Sequence, residues 1–473
     1  MKVLFVEAPY SYRAASSIVG AYFPLGIGYL AAYVRRQGHT VSIFMPSTNC
    51  DYDSSLLQEV SAFKPDLVGF SIMTPSYPEA VRLAEMLKKK NDKTLTVFGG
   101  HHVSAMGVKV LQEAQAVDFL VIGEGELTLT ELLGFLEKSS CDFSRIRGLA
   151  WRDSDGTIRE NPRRELIEEL DSLPFPARDL VDMGRFKLHS YIDFGKRSAT
   201  MITSRGCPYK CIFCSSRLTM GSHYRWRSAE NVLGEVKELI DKFGVDHIVF
   251  EDDTITLRRD RILAICAGLK AMPNRPSWYC LSRVNGMDED LAQIMRSAGC
   301  RMVSFGIESG SPEILEKIGK KIDLHQAEKA VAACTRAKLR TLCTFIVGFP
   351  FDTKETMDAT LAAAKRIAPT IAIFFPLTPY PGTEIFDSYV DNSQMPGSIN
   401  DWRDYIVTGE TEPASANSLI SFKQIREISV RWNRRFFFRP SQVWRIFRTV
   451  KSLPELTRVI QAGLYLLRAA IKV

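Results

Sequence analysis

The stretch SRGCPYKCIFCSS, residues 204–216, places three cysteines within eight positions. Cys207, Cys211 and Cys214 follow a C-x3-C-x2-C spacing, directly after the apolar run ATMITS. Three thiols this close together indicate a metal ligand set rather than core packing. Structural zinc sites usually combine two paired half-motifs, and a single cluster therefore makes zinc the weaker interpretation. Thiolates are the ordinary ligands of iron–sulfur clusters, and a four-iron cluster held by three thiolates keeps one iron open.

The chain around this loop has a second α/β rhythm. Six apolar, strand-like runs alternate with helical stretches between residues 199 and 376: ATMITS, DHIVFE, SWYCLS, MVSFGI, LRTLCTFIVG and TIAIFFP. Six such units predict a partial barrel, because a closed barrel has eight. Chemistry in this architecture lies at the carboxyl ends of the strands, and the cysteine loop follows the first strand.

The first 140 residues contain another set of buried strands. KVLFVE, TVSIFM, DLVGFS, TLTVFG and DFLVIG alternate with amphipathic helical segments, which predicts a parallel, doubly wound sheet. Such sheets bind ligands beyond the carboxyl ends of their strands. The loops at those ends read APY, SIMT, GGHH and GEGE, and glycines there allow a ligand to approach the backbone closely. Four such loops on one rim favour a ligand site over simple turns.

These patterns divide the chain into four parts. We predict a first α/β domain over 1–145, a linker over 146–198, a barrel over 199–390 and a helical C-terminal region over 391–473. The linker contains a predicted hairpin around Asp155 and Gly156, followed by the proline-punctuated segment LDSLPFPARDL. The last part is basic: residues 421–473 contain twelve Lys and Arg against two Glu, whereas the whole chain has a net charge of +7.

The cysteine loop and the barrel loops together resemble the radical S-adenosylmethionine (radical SAM) superfamily. The spacing C-x3-C-x2-C, with Phe213 before the last cysteine, is the motif by which that superfamily holds a [4Fe-4S] cluster. The resemblance implies that the open iron binds SAM and that an electron from the cluster cleaves it to a 5′-deoxyadenosyl radical. The reducing electron would come from an external donor of the flavodoxin or ferredoxin type. Cys207, Cys211 and Cys214 are then the catalytic ligand set.

The same resemblance assigns SAM contacts to the loops that end the barrel strands. FEDDT ends the second strand, SRV the third, FGIESGS the fourth, IVGFP the fifth and PLTPYPGT the sixth. The residues implied to contact SAM are Phe213, Glu251, Asp252, Asp253, Ser282, Arg283, Glu308, Val347, Gly348 and Pro379. Taken singly, an Asp pair or a buried Glu is more often a helix cap or an ion-pair partner. Five loops in the expected order favour the SAM assignment.

The first domain resembles the cobalamin-binding domain that precedes the radical SAM barrel in one large subgroup. FPLGIGYLAAYVRRQGHTV, PDLVGFSIMT, VFGGHHVSA and VIGEGELTLTELL carry the likeness, which implies a flavodoxin-like, Rossmann-type sheet with the corrin facing the barrel. The residues implied to contact cobalamin are Pro9, Tyr10, Leu25, Gly26, Ser71, Thr74, Gly99, Gly100, His101, Gly123, Glu124, Gly125 and Glu126.

One cobalamin motif is absent from the sequence. Better-known cobalamin domains carry D-x-H-x-x-G, whose histidine ligates cobalt from below, and His39, His101, His102 and His247 all lack that spacing. The absence favours cobalt that is unligated or otherwise ligated, and it leaves open a degenerate domain that no longer binds cobalamin. His101 and His102 lie on the GGHH rim, where a cofactor contact and simple solvation are both reasonable interpretations.

Two reactions fit a SAM-cleaving barrel joined to cobalamin. The first is methyl transfer from methylcobalamin to an unactivated carbon or phosphorus of a small-molecule or lipid-like substrate, for which a radical is needed. The second uses the radical without methyl transfer, as in anaerobic porphyrin-ester cyclisation or ring rearrangement. A non-catalytic cobalamin or cluster sensor is a third interpretation, which the apparently complete set of SAM-contacting loops disfavours. We expect a transferase, and specifically a C-methyltransferase.

The remaining features concern compartment and partners. Seven cysteines lie singly among apolar neighbours and no signal peptide is visible, which together indicate a reducing, cytoplasmic compartment. No run of about eighteen apolar residues occurs, so we expect no membrane-spanning segment. The basic, aromatic tail predicts either a helical extension packed on the barrel or a peripheral contact with anionic lipid. It lacks a recognisable nucleic-acid-binding module, and we expect no nucleic-acid partner.

Overall fold

The computed structural model describes residues 1–9, 22–45, 51–138, 142–189, 191–390, 402–403, 405, 420–450, 456–457 and 459–460. Of the predicted cobalamin contacts, Tyr10 lies outside these residues. Much of the predicted C-terminal region 391–473 also lies outside them.

The first domain is built on five parallel strands in the order β2-β1-β3-β4-β5. Its strands are β1 (Lys2–Glu7), β2 (Thr40–Phe44), β3 (Leu67–Ser71), β4 (Leu95–Gly99) and β5 (Phe119–Val121). Its helices are α1 (Leu25–Arg36), α2 (Tyr52–Phe63), α3 (Tyr77–Lys90), α4 (His101–Met106), α5 (Lys109–Glu113) and α6 (Glu126–Glu137). Apolar layers cover both faces of the sheet, which is why its strands read as continuous apolar runs. The predicted flavodoxin-like fold is confirmed.

An antiparallel hairpin extends this sheet beyond β5. Strand β6 (Leu149–Arg152) pairs with β5, and β7 (Ile158–Glu160) pairs with β6, joined by a turn in which Gly156 has a φ of 85°. The hairpin that we predicted within the linker 146–198 therefore continues the first sheet. Its interior residues Leu149, Ala150 and Trp151 are buried against the first domain, which fixes it there.

The second domain is a curved sheet of six parallel strands in the order β8-β11-β12-β13-β14-β15. These strands are β8 (Ser198–Met201), β11 (His247–Phe250), β12 (Ser277–Ser282), β13 (Cys300–Glu308), β14 (Arg340–Val347) and β15 (Ile371–Pro376). A short antiparallel pair, β9 (Ser204–Arg205) and β10 (Arg225–Trp226), lies beside the cysteine loop. The helices of this domain are α7 (Ser216–Met220), α8 (Ala229–Phe243), α9 (Arg259–Ala271), α10 (Glu289–Ser297), α11 (Pro312–Lys317), α12 (Leu324–Arg336), α13 (Lys354–Ile367) and α14 (Glu384–Val390). This is the predicted partial barrel of six βα units.

The core of the second domain accounts for most of the isolated cysteines. Cys266, Cys280, Cys300, Cys334 and Cys343 are buried, free thiols packed among apolar side chains. They serve as small hydrophobic residues, as predicted. Cys50 and Cys141 lie outside the described residues.

A C-terminal helix protects the open edge of the barrel. The chain continues in α15 (Phe422–Phe437) and α16 (Pro440–Phe447), and α15 packs Trp432 and Phe436 against Phe374 of the edge strand β15. Asn433 accepts a hydrogen bond from the Phe374 amide at 3.2 Å, and Ser429 donates to the Phe374 carbonyl at 2.5 Å. These polar groups satisfy backbone positions that an uncovered edge strand would present to other chains.

The predicted helical extension is confirmed for α15 and α16. No helix in the described part of the chain is long and apolar enough to cross a membrane.

Candidate active site at the domain interface

The cysteine loop is held in a closed shape by its own backbone. Cys207 donates its amide to the Gly221 carbonyl at 3.3 Å, and Cys214 donates to the Cys211 carbonyl at 3.1 Å. Gly206 has a φ of 86°, and a Cβ at that position would lie 2.1 Å from the His223 carbonyl oxygen. Glycine is therefore required at the point where the chain enters the loop.

The three loop thiols are partly buried and form no disulfide. Burial raises the pKa of Cys214 to about 11, and burial followed by Asp253 and Cys211 raises the pKa of Cys207. Iron binding would displace the thiol protons, because the positive charge of the metal stabilises the thiolates that burial otherwise disfavours. The donor set thus fits the three-thiolate cluster. Among the described residues no three His, Cys, Asp or Glu side chains, the loop thiols included, are arranged as one metal-binding group, so the fit rests on the donor chemistry of the loop.

The three acidic residues after β11 have different surroundings. Asp252 is fully buried beneath the cysteine loop, where it accepts hydrogen bonds from the Thr203 hydroxyl at 2.7 Å and from the Ser204 hydroxyl. Asp253 accepts a hydrogen bond from the Ser216 hydroxyl at 2.5 Å, two residues beyond the last cysteine. Glu251 lines a cavity in the barrel. Of the three predicted SAM contacts, Asp252 is thus engaged in holding the loop.

Arg283 connects the cysteine loop to the opposite side of the barrel mouth. Its guanidinium carbon lies 3.6 Å from the centroid of the Tyr209 ring, and one Nη donates to the carbonyls of Lys320 and Lys321. Its Nε is buried and has no hydrogen-bond partner among the described residues. A ligand acceptor such as a carboxylate oxygen would satisfy that donor, so this position fits a SAM contact. The neighbouring Ser282 shares a hydrogen bond with Thr256 at 2.5 Å.

Glu308 is the most strained of the predicted SAM contacts. It has a φ of 71°, in the left-handed region that non-glycine residues avoid, and it lies where the β13–β14 register shifts. A buried ion pair with Lys320 at 2.9 Å fixes its carboxylate. Such strain persists only where surrounding contacts determine the geometry, and it is typical of functional sites.

The remaining predicted SAM positions form the far wall of the mouth. Phe213 packs with Phe349, their ring centroids 5.8 Å apart. Gly348 has a φ of 92°, and a Cβ there would lie 2.5 Å from Ile425 of α15, so packing by the C-terminal helix also requires glycine. Val347 is buried at the end of β14. Beside Pro379, the hydroxyl of Thr378 is buried, and no group in the described part of the chain hydrogen-bonds to it, which leaves it available to a ligand.

The four loops of the predicted cobalamin rim differ in their packing. Two of them are joined by a backbone hydrogen bond and close packing, and the other two have accessible glycines. Ile72, after β3, donates its amide to the Gly99 carbonyl at 2.8 Å, next to Ser71. A Cβ at Gly100 would lie 2.7 Å from the Ile72 nitrogen, so this glycine serves packing. By contrast, a Cβ at Gly26 or Gly123 would meet nothing within 4 Å. The backbone at Gly26 and Gly123 is therefore not covered by other described residues, which leaves it accessible to a ligand.

The two rim histidines have different roles. His101 shares a hydrogen bond with Thr219 of α7 at 3.1 Å, so the rim contacts the helix that follows the cysteine loop. His102 is buried against Tyr77, with ring centroids 4.3 Å apart, and shares a hydrogen bond with Thr74. Burial lowers the pKa of His102 to about 3, which keeps it neutral. Thr74, predicted as a cobalamin contact, is thus a buried partner of His102, and Pro9 is partly buried at the end of the described β1 loop.

Glu124 and Glu126 join the two domains through a buried ion cluster. Arg205 donates to Glu124 at 2.8 Å and to Glu126 at 2.6 Å, and Arg225 donates to Glu124 at 2.9 Å. The two carboxylate side chains are each 5 % exposed. Burial alone would raise the pKa of Glu126, but the Arg205 guanidinium outweighs it and holds that pKa below its usual value. We predicted both glutamates as cobalamin contacts, and the structure engages both carboxylates with arginines of the β9–β10 pair.

A cavity of about 400 Å³ lies inside the barrel beneath this interface. Its walls are side chains of the barrel strands, including Thr200, Tyr279, Ser304 and Thr344. Its cover comes from the first domain and the linker, through Tyr22, Phe23, Leu25, His189, Tyr191 and Ile192. Of these cover residues we predicted only Leu25, as a cobalamin contact, because the others come from segments without a motif.

The fold and the site define the class: a radical SAM barrel whose cysteine loop faces a cobalamin-type rim. The family model for the radical SAM superfamily matches residues 201–364, and that for the B12 binding domain matches residues 14–133. An uncharacterised methyltransferase of Pyrococcus horikoshii is 35 % identical over 93 % of this chain and 93 % of its own length. The anaerobic magnesium-protoporphyrin IX monomethyl ester cyclase of Rubrivivax gelatinosus is 29 % identical over 84 % of this chain and 71 % of its own.

The solved structure of the radical SAM methyltransferase TsrM from Kitasatospora setae, with cobalamin and a [4Fe-4S] cluster bound, has the same fold. It aligns with a TM-score of 0.71 at 18 % identity, covering 94 % of this chain and 90 % of that one. The chain belongs to the cobalamin-dependent radical SAM methyltransferase family, whose cofactors are a [4Fe-4S] cluster, SAM and cobalamin.

The ion cluster gives a testable stability prediction. Replacement Glu124→Gln leaves Arg205 and Arg225 buried with less compensating charge, so we expect the free energy of unfolding to fall by about 3–5 kcal/mol. Urea unfolding followed by fluorescence measures the change. The matched control is Glu131→Gln, which removes a partly exposed pair with Arg164 and should cost less than about 1 kcal/mol. Equal effects of the two variants would contradict the account.

Proposed function

We propose that this chain transfers a methyl group from cobalamin to an unactivated carbon of a small-molecule or lipid-like substrate. The observation that carries the proposal is the cavity of about 400 Å³, which has barrel strands as its walls and the first domain as its cover. A substrate there would lie inside the barrel, beneath the segments of the first domain and the linker that cover it. The volume is in the range of sites for small ligands.

The residues of this chain divide the work in the following way. Cys207, Cys211 and Cys214 would hold the cluster, and Arg283 and Glu308 would contact SAM at the barrel mouth. When bound, the cluster and SAM supply a carbon-centred radical, and cobalamin supplies the methyl group. Tyr22, Phe23 and Leu25, together with the apolar barrel residues, would exclude water, which protects a radical from side reactions. Electrons would come from an external flavodoxin- or ferredoxin-type donor.

Radical cyclisation without methyl transfer is the second candidate. It is favoured by the likeness to the cyclase of Rubrivivax gelatinosus over most of both chains. The two reactions differ in the fate of the SAM methyl group. A deuterium-labelled methyl group appears in the product of a methyltransferase, and it does not appear in the product of a cyclase.

The cluster assignment is tested by cysteine replacement. After anaerobic reconstitution with iron, sulfide and cobalamin, followed by SAM and a reductant, the protein should form 5′-deoxyadenosine. Each of Cys207→Ala, Cys211→Ala and Cys214→Ala should lower this to the level of a protein-free control, because each removes an iron ligand. The control Cys334→Ala, in the barrel core, should retain cleavage. Deoxyadenosine formation by the three loop variants would overturn the assignment.

The helix α16 supports the further proposal of a peripheral contact with anionic lipid. Trp444, Phe447 and Val443 are 65 %, 45 % and 36 % exposed, and Arg448, the residue after the helix, has its guanidinium carbon 5.7 Å from the centroid of the Trp444 ring. Exposed aromatic side chains beside arginines are typical of helices that lie in a lipid interface.

Flotation with phosphatidylserine-containing liposomes tests the lipid contact. The double replacement of Trp444 and Phe447 by Ala should reduce binding by at least about tenfold, because two apolar anchors are lost. The control Trp226→Ala removes an exposed tryptophan beside the cysteine loop and should leave flotation unchanged. Liposome binding by the double variant equal to that of the unaltered protein would contradict the proposal.

A further inference from the structure

The barrel cavity contains one carboxylate in aromatic surroundings. Glu251 lines it together with three tyrosines, Tyr22, Tyr191 and Tyr279, and no Lys or Arg is among its described lining residues. The tyrosines come from three separate parts of the chain, which are the start of the first domain's α1 segment, the linker and strand β12. The cavity is therefore acidic at one point and otherwise mainly apolar.

Glu251 has no side-chain hydrogen bond or ion pair with any described residue. Its backbone is fixed, because its amide donates to the Met201 carbonyl at 2.8 Å. Burial, followed by repulsion from Asp252, raises the pKa of Glu251 to about 7. Its neighbours differ in this respect: Asp252 is hydrogen-bonded to Thr203 and Ser204, and Asp253 to Ser216. Of these three acidic residues, only Glu251 lines the cavity.

The cover of the cavity arranges aromatic rings around this carboxylate. The Tyr22 ring lies 5.6 Å from the His189 ring, and His189 stacks on Tyr191 with centroids 5.2 Å apart. Burial raises the pKa of Tyr22, of Tyr191 and of Tyr279, and the negative charge of Glu251 adds a smaller increase to each.

We propose that this cavity takes a small, largely apolar molecule carrying a basic amine, whose ammonium group lies against Glu251 among the three tyrosine rings. This substrate class rests on the proposed function, in which the cavity is the substrate site. Glu251, which the family resemblance implied as a SAM contact, is then a specificity-determining residue of the substrate site. Glu251 lies two residues before Asp253, which accepts a hydrogen bond from Ser216 just after the cysteine loop.

Three physical arguments favour an ammonium group. A buried carboxylate without a partner is costly, and a cation offsets that cost. The faces of aromatic rings attract cations, and tyrosines around a positive charge form a recognised arrangement for quaternary and protonated amines. An anionic substrate would meet Glu251 with no Lys or Arg of the described lining to compensate, so phosphates and carboxylates are disfavoured.

Three probes of similar shape separate these cases. Phenethylamine carries the ammonium group, propylbenzene replaces it with a methyl group, and phenylacetate carries a carboxylate. Ligand-observed NMR on the anaerobically reconstituted full-length protein should give a dissociation constant for phenethylamine at least about tenfold smaller than for propylbenzene. Phenylacetate should bind more weakly than propylbenzene. Equal binding of phenethylamine and propylbenzene would overturn the proposal.

Replacement Glu251→Gln should abolish the preference for phenethylamine over propylbenzene while leaving propylbenzene binding unchanged. The matched control Glu230→Gln alters an exposed glutamate of α8 and should retain the full preference. Persistence of the preference in Glu251→Gln would contradict the assigned role.

The ionisation of Glu251 predicts that the binding of phenethylamine depends on pH. The ionisable groups near Glu251 are Asp252, His189 of the cavity cover and the three tyrosines, whose pKa values are raised, so comparison with Glu251→Gln isolates the contribution of Glu251. Phenethylamine stays protonated near neutral pH, and its dissociation constant should fall about tenfold between roughly pH 6 and pH 8. Propylbenzene and the Glu251→Gln variant should show a flat profile. A flat profile for phenethylamine in the unaltered protein would refute the proposal.

Stability distinguishes a lost contact from a misfolded variant. Because the folded-state pKa of Glu251 lies above 4.5, its charging disfavours the folded state as the pH rises from about 4.5 through 7. Glu251→Gln should therefore melt at a temperature no lower than the unaltered protein at about pH 8. A lower melting temperature at that pH would contradict an unpaired Glu251, and with it the proposal.

Failure of this inference and failure of the proposed function give different results. The binding measurements need no SAM cleavage. Amine selectivity without 5′-deoxyadenosine formation would refute the proposed function alone. SAM cleavage and methyl transfer without amine selectivity would refute the substrate class alone.

Discussion

A buried cluster of two arginines and two glutamates fastens the first domain to the frame of the cysteine loop. Arg205 and Arg225 belong to the short β9–β10 pair that encloses the loop, whereas Glu124 and Glu126 belong to the rim of the first sheet. Charges this deeply buried are costly without partners. Separation of the two domains would therefore leave these arginines and glutamates unpaired. The position of the rim relative to the cysteines depends on this contact.

A second buried ion cluster holds the linker against the barrel. Arg178, in the linker, donates to Glu235 of α8 at 2.6 Å, and Arg227 donates to the other oxygen of that carboxylate. The linker therefore stays against the barrel, and its residues His189, Tyr191 and Ile192 can cover the cavity. The hydrogen bond between His101 and Thr219 adds a direct contact between the rim and the helix after the cysteines. These contacts hold the rim of the first domain next to the cysteine loop.

The sequence was most informative where a local pattern has one physical meaning. The thiol spacing, the apolar runs and their alternation with helices predicted both sheets and the cysteine loop, because each is determined by residues close together in the chain. The roles of Glu124, Glu126 and Asp252 could not be predicted in this way, since a rim glutamate facing a ligand and one facing an arginine look alike. Arg205 and Arg225 are 20 positions apart, and no pattern pairs them with residues 124 and 126. The cavity cover was equally hidden, because Tyr22 and Tyr191 meet only after both domains dock.

The account's central claim is that the cluster and the cobalamin share one enclosed space. Electron paramagnetic resonance of the reconstituted protein, with the cluster reduced and the cobalt in its paramagnetic divalent state, tests this most directly. We predict that each signal is broadened or split by the other, because two unpaired spins across one small cavity interact through their dipoles. A spectrum that is the simple sum of an isolated cluster signal and an isolated cobalt signal would contradict the claim.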